Sequence, residues 1–350
     1  MDAAQITPLI NAVPMPLMLI GRDERVLAVN TAASALFGAA IVGRHYITVL
    51  RQPALLDCVE TALKSGKQSQ TQLLTRDASR DATFRVMAAP VDMTGLACIL
   101  LSLEDISHVQ AAGQMRRDFV ANVSHELRSP LTALLGFIET LRGPARDDTA
   151  ARDRFLEIMQ REASRMSRLI QDLLSLSRVE SAERMRPTSK VDVAGIVMSA
   201  SRTLGPLAAD SGVKLIVTGA EDVIEVPGDG DQLLQVFMNL MENAIKYGGT
   251  AVEVDLRAEE HDPALRGPAV RIEVRDHGDG IDPIHIPRLT ERFYRVDTHR
   301  SREMGGTGLG LAIVKHIINR HRGRLRIVSE KGQGSRFVVV LPSGAAPPPA

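Results

Sequence analysis

Two long apolar stripes at helical spacing, joined by a turn full of helix breakers, constrain this 350-residue chain more than any other feature. Phe119, Val123, Leu127, Leu131, Leu134, Phe137 and Leu141 recur at intervals of three and four, as do Leu156, Met159, Ala163, Met166, Ile170, Leu173 and Leu176. Between them, Arg142 to Asp148 contains Gly143 and Pro144 and reads as a turn. The pattern predicts a helical hairpin over residues 109–185, each helix about 45–50 Å long at 1.5 Å per residue. Two helices alone cannot cover both stripes. The simplest solution is an obligate homodimer in which two hairpins form a four-helix bundle.

The flanking segments have a different character, so the fold class is multidomain α/β. Residues 8–107 read as strand, polar turn and strand (PLMLI, GRDER, VLAVN), then helices over Thr31–Phe37 and Pro53–Ser65, then strands over Gln70–Thr75, Thr83–Ala88 and Ala97–Leu103. In residues 189–343, helical patterns (Val193–Asp210, Gln232–Tyr247, Leu309–Arg320) alternate with strand patterns (Lys214–Val217, Ala251–Arg257, Ala269–Asp276, Arg324–Val328, Ser335–Leu341). That order fits helices packed on one face of a mixed sheet. Residues 344–350, rich in Ala and Pro, read as a disordered tail.

Composition removes several function classes. Lys and Arg together number 42, as do Asp and Glu, so the chain lacks the basic excess of a general nucleic-acid binder or a polybasic membrane surface. A membrane-spanning helix needs about 20 apolar residues; Pro8 to Ile20 is shorter and is interrupted by Pro14 and Pro16. The N-terminus has no basic region of a signal peptide. The reading is a cytoplasmic protein, tied to a membrane only through a partner. Cys58 and Cys98 lie in apolar surroundings without metal-ligand spacing and read as buried free thiols.

The polar residues that break these patterns point to chemistry. His125 sits mid-helix between Val123 and Leu127. Pro130 removes the hydrogen bond to the Glu126 carbonyl and is expected to bend the helix just after the histidine. Glu126 is placed to take the proton of one ring nitrogen, leaving the other as a nucleophile. Ser129, one turn on, can orient a water. Further along, Asn239 and Asn243 share a helix face at i, i+4, and their amide oxygens suit a hard cation such as Mg²⁺, with phosphates and waters completing the shell. Lys246 would neutralise phosphate charge and Tyr247 would border a base. Asp276 can accept from an exocyclic amine, followed by Gly278, Gly280 and Ile281, whose glycines let the backbone approach a ring. Phe293 anchors a loop in which Arg292 and Arg295 are phosphate contacts. Gly305, Gly306, Thr307, Gly308, Leu309 and Gly310 run into a helix N-terminus, which can receive phosphate through backbone N–H groups. No Gly-Lys-Ser/Thr follows, so this is not a P-loop. Taken singly, each pattern also describes a solvated helix face or a surface turn.

Taken in order, His125-Glu126-Leu127-Arg128-Ser129-Pro130, the two asparagines, the Asp276 box, the Phe293 box and the Gly306 box resemble two-component sensor histidine kinases. The segments Phe293-Tyr294-Arg295-Val296 and Gly306 to His316 look most like the phosphate-regulon sensor subgroup, and the first block, with its closing Glu104-Asp105-Ile106-Ser107, resembles a PAS sensor domain. The resemblance implies a PAS-like α+β domain, a dimerisation and phosphotransfer hairpin, and an α/β-sandwich ATP-binding domain. It implies autophosphorylation of His125 from Mg-ATP, with Asn243 on the metal, Asp276 on adenine and Gly305 to Gly310 as a lid, and transfer to an aspartate on a response regulator receiver domain. It also implies that Ser129 stands where the family more often has Thr or Asn, the position tied to dephosphorylation of the regulator. Two other readings compete: an ATP-driven conformational ATPase of the heat-shock chaperone and mismatch-repair superfamily, and a non-catalytic dimeric scaffold. Acid-labile, alkali-stable phosphate on the protein would separate the kinase from both.

Overall fold

The computed structural model describes residues 3–38, 40–77, 80–93, 96–183, 185–296 and 306–343; Gly305 and the tail 344–350 lie outside them. The chain divides into two compact units, residues 1–121 and 122–350.

The first unit is built on an antiparallel sheet in the order β2-β1-β5-β4-β3, from β1 (Leu17–Gly21), β2 (Val26–Val29), β3 (Ser69–Asp77), β4 (Arg80–Met93) and β5 (Leu96–Asp105). Four helices accompany it: α1 (Ala3–Asn11), α2 (Thr31–Phe37), α3 (Tyr46–Val49) and α4 (Pro53–Ser65). β1 explains its own unbroken apolar run, because both of its faces are covered. Met18 and Ile20 pack with Leu55, Val59, Val86 and Leu101. Leu17 and Leu19 pack with Ile6 and Ile10 of α1. The sequence pattern does not announce α1, because Pro8 lies inside it and reads as a breaker. Its packing carries ordered structure to the N-terminal side of residue 8. Cys58 and Cys98 are both buried free thiols.

Asn30 holds these layers together. It is buried, and its Nδ2 donates to the carbonyls of Ile10, Val13 and Met15 while its Oδ1 accepts from Leu17 N and Ala33 N. One side chain thus caps α2 and fixes the end of α1 against β1. Asn30→Ala would leave Leu17 N, Ala33 N and the Ile10 carbonyl without this partner in a buried setting. We expect it to lower the unfolding free energy of this unit by about 2–4 kcal/mol, read as a shift in a chemical-denaturation midpoint.

At the end of β5 the chain turns directly into α5 (Ser107–Arg142). Asp105 accepts from Ser107 N, Thr83 N donates to Ser107 Oγ, and Ile106 is buried with its N–H on Thr83 O. The helix start is therefore bonded to the sheet at two adjacent residues.

α5, of 36 residues, enters the second unit at residue 122 and there forms the hairpin with α6 (Thr149–Ala182), of 34 residues. α5 continues through Pro130 without interruption. Asp148 caps α6 by accepting from Ala151 N, and the Phe137 and Phe155 rings stack across the two helices at 5.2 Å. The rest is a five-stranded sheet in the order β11-β12-β10-β9-β7: β7 (Lys214–Thr218), β9 (Ala251–Asp262), β10 (Gly267–Asp276), β11 (Arg324–Ser329) and β12 (Ser335–Pro342). Only β7–β9 is parallel. Val252, Val254 and Leu256 of β9 and Val270, Ile272 and Val274 of β10 are buried. They alternate with Glu253, Asp255, Arg257, Arg271, Glu273 and Arg275, which line the open face. α7 (Val193–Asp210), α8 (Gly230–Tyr247) and α9 (Gly310–Arg320) cover the apolar face. Two further strands, β6 (Lys190–Asp192) and β8 (Glu225–Pro227), pair beside them; at three residues each they are too short to leave a pattern. Among the described residues no helix is long and apolar enough to cross a membrane.

His321 locks the C-terminus of α9 to the start of α8. It is fully buried, its Nδ1 donates to Ile317 O at 2.8 Å and its Nε2 accepts from Asp229 N at 3.0 Å. Burial, reinforced by the nearby Arg320 and Arg186, pushes its pKa below the usual 6.5. The unfolded chain then takes up a proton that the native state refuses, so this contribution to stability is present above about pH 6.5 and is lost as pH falls below it. Denaturation midpoints taken between pH 7.5 and 5.5 should decline more for the native sequence than for His321→Gln.

Candidate functional site

α8 presents the first group of candidate residues. Asp229 caps it by accepting from Gln232 N, and Leu233, Phe237, Leu240 and Ala244 bury its inner face. Asn239, Asn243, Lys246 and Tyr247 are left half-buried beside that face. Asn239 Nδ2 donates to Gly310 O at 3.4 Å, joining α8 to the entry of α9. Lys246 pairs with Glu242 one turn back at 2.7 Å. Lys246, Tyr247 and Gly278 together border a cleft of about 740 Å³.

Asp276 ends β10 and is buried. Its Oδ1 accepts from Gly278 N at 3.1 Å and Ser335 N at 3.0 Å. Burial raises its pKa above the usual carboxylate value, against the pull of those two N–H groups. The polar chain continues outward: Ser335 Oγ lies 3.0 Å from Ser329 Oγ, which accepts from Ile281 N at 2.7 Å. The glycines here also permit close backbone packing. A Cβ on Gly278 would sit 2.0 Å from the Tyr247 carbonyl oxygen, and one on Gly280 (φ +65°) 2.0 Å from that of Glu330. Their missing side chains let the loop pack against α8 and the β11–β12 turn, which fixes Asp276 beside Tyr247.

Phe293 and the glycine loop meet directly. Phe293 takes φ 64°, which a bulky residue adopts only when its surroundings impose it, and its N–H donates to Gly308 O at 2.8 Å. Gly308 sits at φ +73° with its Cα against the Phe293 backbone and the Arg295 guanidinium. Thr307 Oγ1 accepts from Leu309 N at 3.3 Å, and Leu309 is fully buried at the head of α9. Gly306 begins this described stretch, half-buried.

On the hairpin, His125 is exposed on α5. Ser129 Oγ donates to the His125 carbonyl at 3.2 Å, one turn away. Glu126 reaches across the fold: its Oε2 accepts from Arg165 of α6 at 2.7 Å and from Arg295 at 3.2 Å, all three side chains being at least four-fifths buried. The phosphoacceptor candidate's neighbour is thus tied to the Phe293 segment through a single carboxylate. Along α6, Asp172 accepts from Thr307, Ser175 donates to Gln235, Glu180 pairs with Arg292, and Glu183 takes His316 at 3.0 Å. Asp172, Arg165, Glu180, Glu183, Ser329 and Ser335 carry no local sequence signal. Apart from the Arg165–Glu162 pair within α6 and the contacts of Ser329 across the β11–β12 turn, their partners stand tens to more than a hundred residues away, and only the tertiary structure pairs them.

Two family models match this chain. Residues 115–182 match the family described as the His Kinase A (phospho-acceptor) domain, and residues 228–345 match the histidine kinase-, DNA gyrase B-, and HSP90-like ATPase family. The second family alone would leave the conformational ATPase in contention; the first, which spans His125, separates the two. The phosphate regulon sensor protein PhoR of Pseudomonas aeruginosa is 41% identical over 240 residues, covering 68% of this chain and 52% of PhoR. The sensor protein kinase WalK of Staphylococcus aureus is 33% identical over 327 residues, covering 92% of this chain and 76% of WalK. Some curated relatives are longer, and the chain spans only 52% to 61% of their length. Among solved structures, the histidine kinase ThkA in complex with response regulator protein TrrA shares the fold, at TM-score 0.51 and 18% identity over 98% of each chain.

Proposed function

This chain belongs to the sensor histidine kinase family, and we propose that it autophosphorylates His125 from Mg-ATP and passes the phosphoryl group to an aspartate of a response regulator receiver domain. The observation that carries the reading is the Glu126–Arg295 contact, which joins the residue beside His125 to the segment packed on Gly308. Phosphoacceptor helix and phosphate-side loop are linked by one charged bridge.

In the reaction, an imidazole nitrogen of His125 forms a bond to the γ-phosphorus, the bond to the β–γ bridging oxygen breaks, and ADP leaves. The ring proton passes to Glu126 once its arginines release it. Most of the rate enhancement would come from positioning and charge neutralisation. The adenine amine would donate to Asp276, Tyr247 would border the base, and Lys246, Arg295 and the N–H groups from Gly306 to Gly310 would face the phosphates. Asn243 offers one hard oxygen, which fits Mg²⁺ brought in with a nucleotide rather than caged by protein alone. The metal would neutralise charge on the phosphates. Ser129, freed from the His125 carbonyl, would orient a water for dephosphorylation of the regulator.

The first unit reads as a PAS-like sensor, supported by the sheet order β2-β1-β5-β4-β3 with α2 to α4 over one face. α5 starts bonded to that sheet and runs unbroken past His125, a continuous element through which a signal would bias two bundle states. A homodimeric four-helix bundle is supported by Leu131, Leu135, Leu156, Ile170 and Leu174, each 46% exposed or more on the hairpin. The need for ATP favours a cytoplasmic site of action, and a membrane-associated partner would supply any anchoring. Incubation with magnesium and γ-labelled ATP tests the whole reading: phosphate on the protein should be acid-labile and alkali-stable. Label resistant to acid, or none, overturns it.

A further inference from the structure

We infer that Asp172 on α6 is an internal competitor for the nucleotide's phosphate groups, holding the glycine loop in an occupied state until α6 withdraws. The inference rests on the ATP-site reading given above and adds a regulation of that site.

Asp172, Ser175, Glu180 and Glu183 recur at three- to five-residue spacing along α6, and each is bonded to the sheet-and-helix part of the same unit. Asp172 differs from the others in where its charge lands. Its Oδ2 accepts from Thr307 Oγ1 at 2.6 Å, and the same hydroxyl caps Leu309 N at the entry to α9. That is the loop whose donors are expected to take phosphate. Glu242 repels this carboxylate, while Arg168, one turn back on α6, and Lys246, the cation expected to neutralise phosphate, attract it from a distance. Among the described residues Asp172 makes no ion pair. Burial pushes its pKa up, and the hydroxyl of Thr307 opposes that only in part. A desolvated carboxylate with no cation in direct contact among the described residues is held at a place furnished for anions. A β- or γ-phosphate entering there meets a like charge in a poorly solvated setting, where repulsion is strong. Both anions also need the same donors.

Two consequences follow from linkage. Nucleotide binding must displace α6 from the glycine loop, so the apparent affinity is reduced by the fraction of molecules with Asp172 docked. By reciprocity, bound nucleotide frees the hairpin from this contact. The release would act on the same body that carries Glu126 on Arg295.

Calorimetric titration of the full chain tests this with three probes: adenosine, Mg-ADP and the magnesium complex of a non-hydrolysable ATP analogue. Asp172→Asn keeps the size and an acceptor for Thr307 while removing the charge. It should tighten the triphosphate analogue by about tenfold, Mg-ADP by less, and adenosine by less than twofold. Asp172→Ala, which also removes the tether, should tighten the analogue at least as much. The inference is overturned if the wild-type chain binds the analogue and Asp172→Asn binds it no more tightly, or if adenosine gains as much as the triphosphate. If neither the wild-type chain nor either variant binds any adenine nucleotide, the ATP-site reading fails and this inference fails with it.

Discussion

Alanine in place of His125 is expected to abolish phosphate incorporation from γ-labelled ATP, by at least 100-fold and to background, while leaving nucleotide affinity within about twofold of the native chain. The separation of effects follows from the geometry. His125 is exposed on α5, and its replacement removes no core packing and no hydrogen bond of the sheet-bearing part. Asn239, Asp276 and the Gly306–Gly310 loop are held by α8, β10 and α9, which do not depend on the imidazole. The substitution also leaves Glu126 with Arg165 and Arg295. Filter-bound label after gel electrophoresis and a titration with a non-hydrolysable analogue measure the two quantities separately. Retention of acid-labile label in the variant would place the acceptor on another of the nine histidines. Loss of nucleotide binding together with label would mean that His125 supports the fold of the nucleotide site, a role its exposure argues against.

How much of this was legible beforehand depended on whether a signal was local. α2 and α4 stand where the pattern puts them, Thr31–Phe37 and Pro53–Ser65, because their ends are marked by Asn30, Pro53 and the left-handed Gly66. The hairpin was legible because its stripes repeat for more than twenty residues. α1 was not, since Pro8 resembles an ending when it lies inside a helix. At the site, motif residues are visible as local oddities: paired amides, glycines after a strand, a histidine within an apolar stripe. What they touch is not. Gly278 and Gly280 stand out after a strand, but that a Cβ there would meet the carbonyls of Tyr247 and Glu330 is visible only in the fold. Glu126 stands next to His125 in the sequence, yet its carboxylate also reaches arginines 39 and 169 residues away. Side chains that reach across a fold obey the packing of elements, and that information is spread over the whole chain.

The second large effect is expected at Asp276, where Asn should cost on the order of 100-fold in ATP affinity with little change in folding. Both backbone donors, Gly278 N and Ser335 N, go to Oδ1. An asparagine can present its carbonyl oxygen to them and keep the loop in place. The other atom then changes from an acceptor to an NH₂ donor. A 6-amino group on adenine that would have been accepted by Oδ2 now faces a donor, so a hydrogen bond to a charged acceptor is lost and two donors are opposed in a buried position. Base specificity makes the test sharper than affinity alone. The native chain should prefer ATP to inosine triphosphate, whose 6-oxo group offers an acceptor instead. In Asp276→Asn the ATP side of that preference collapses, and the ratio of the two affinities should fall toward one or invert. A variant that weakens both nucleotides equally while melting earlier would show Asp276 to be a structural carboxylate for the Ser335–Ser329 network. Unchanged preference in a folded variant would remove Asp276 from base recognition altogether.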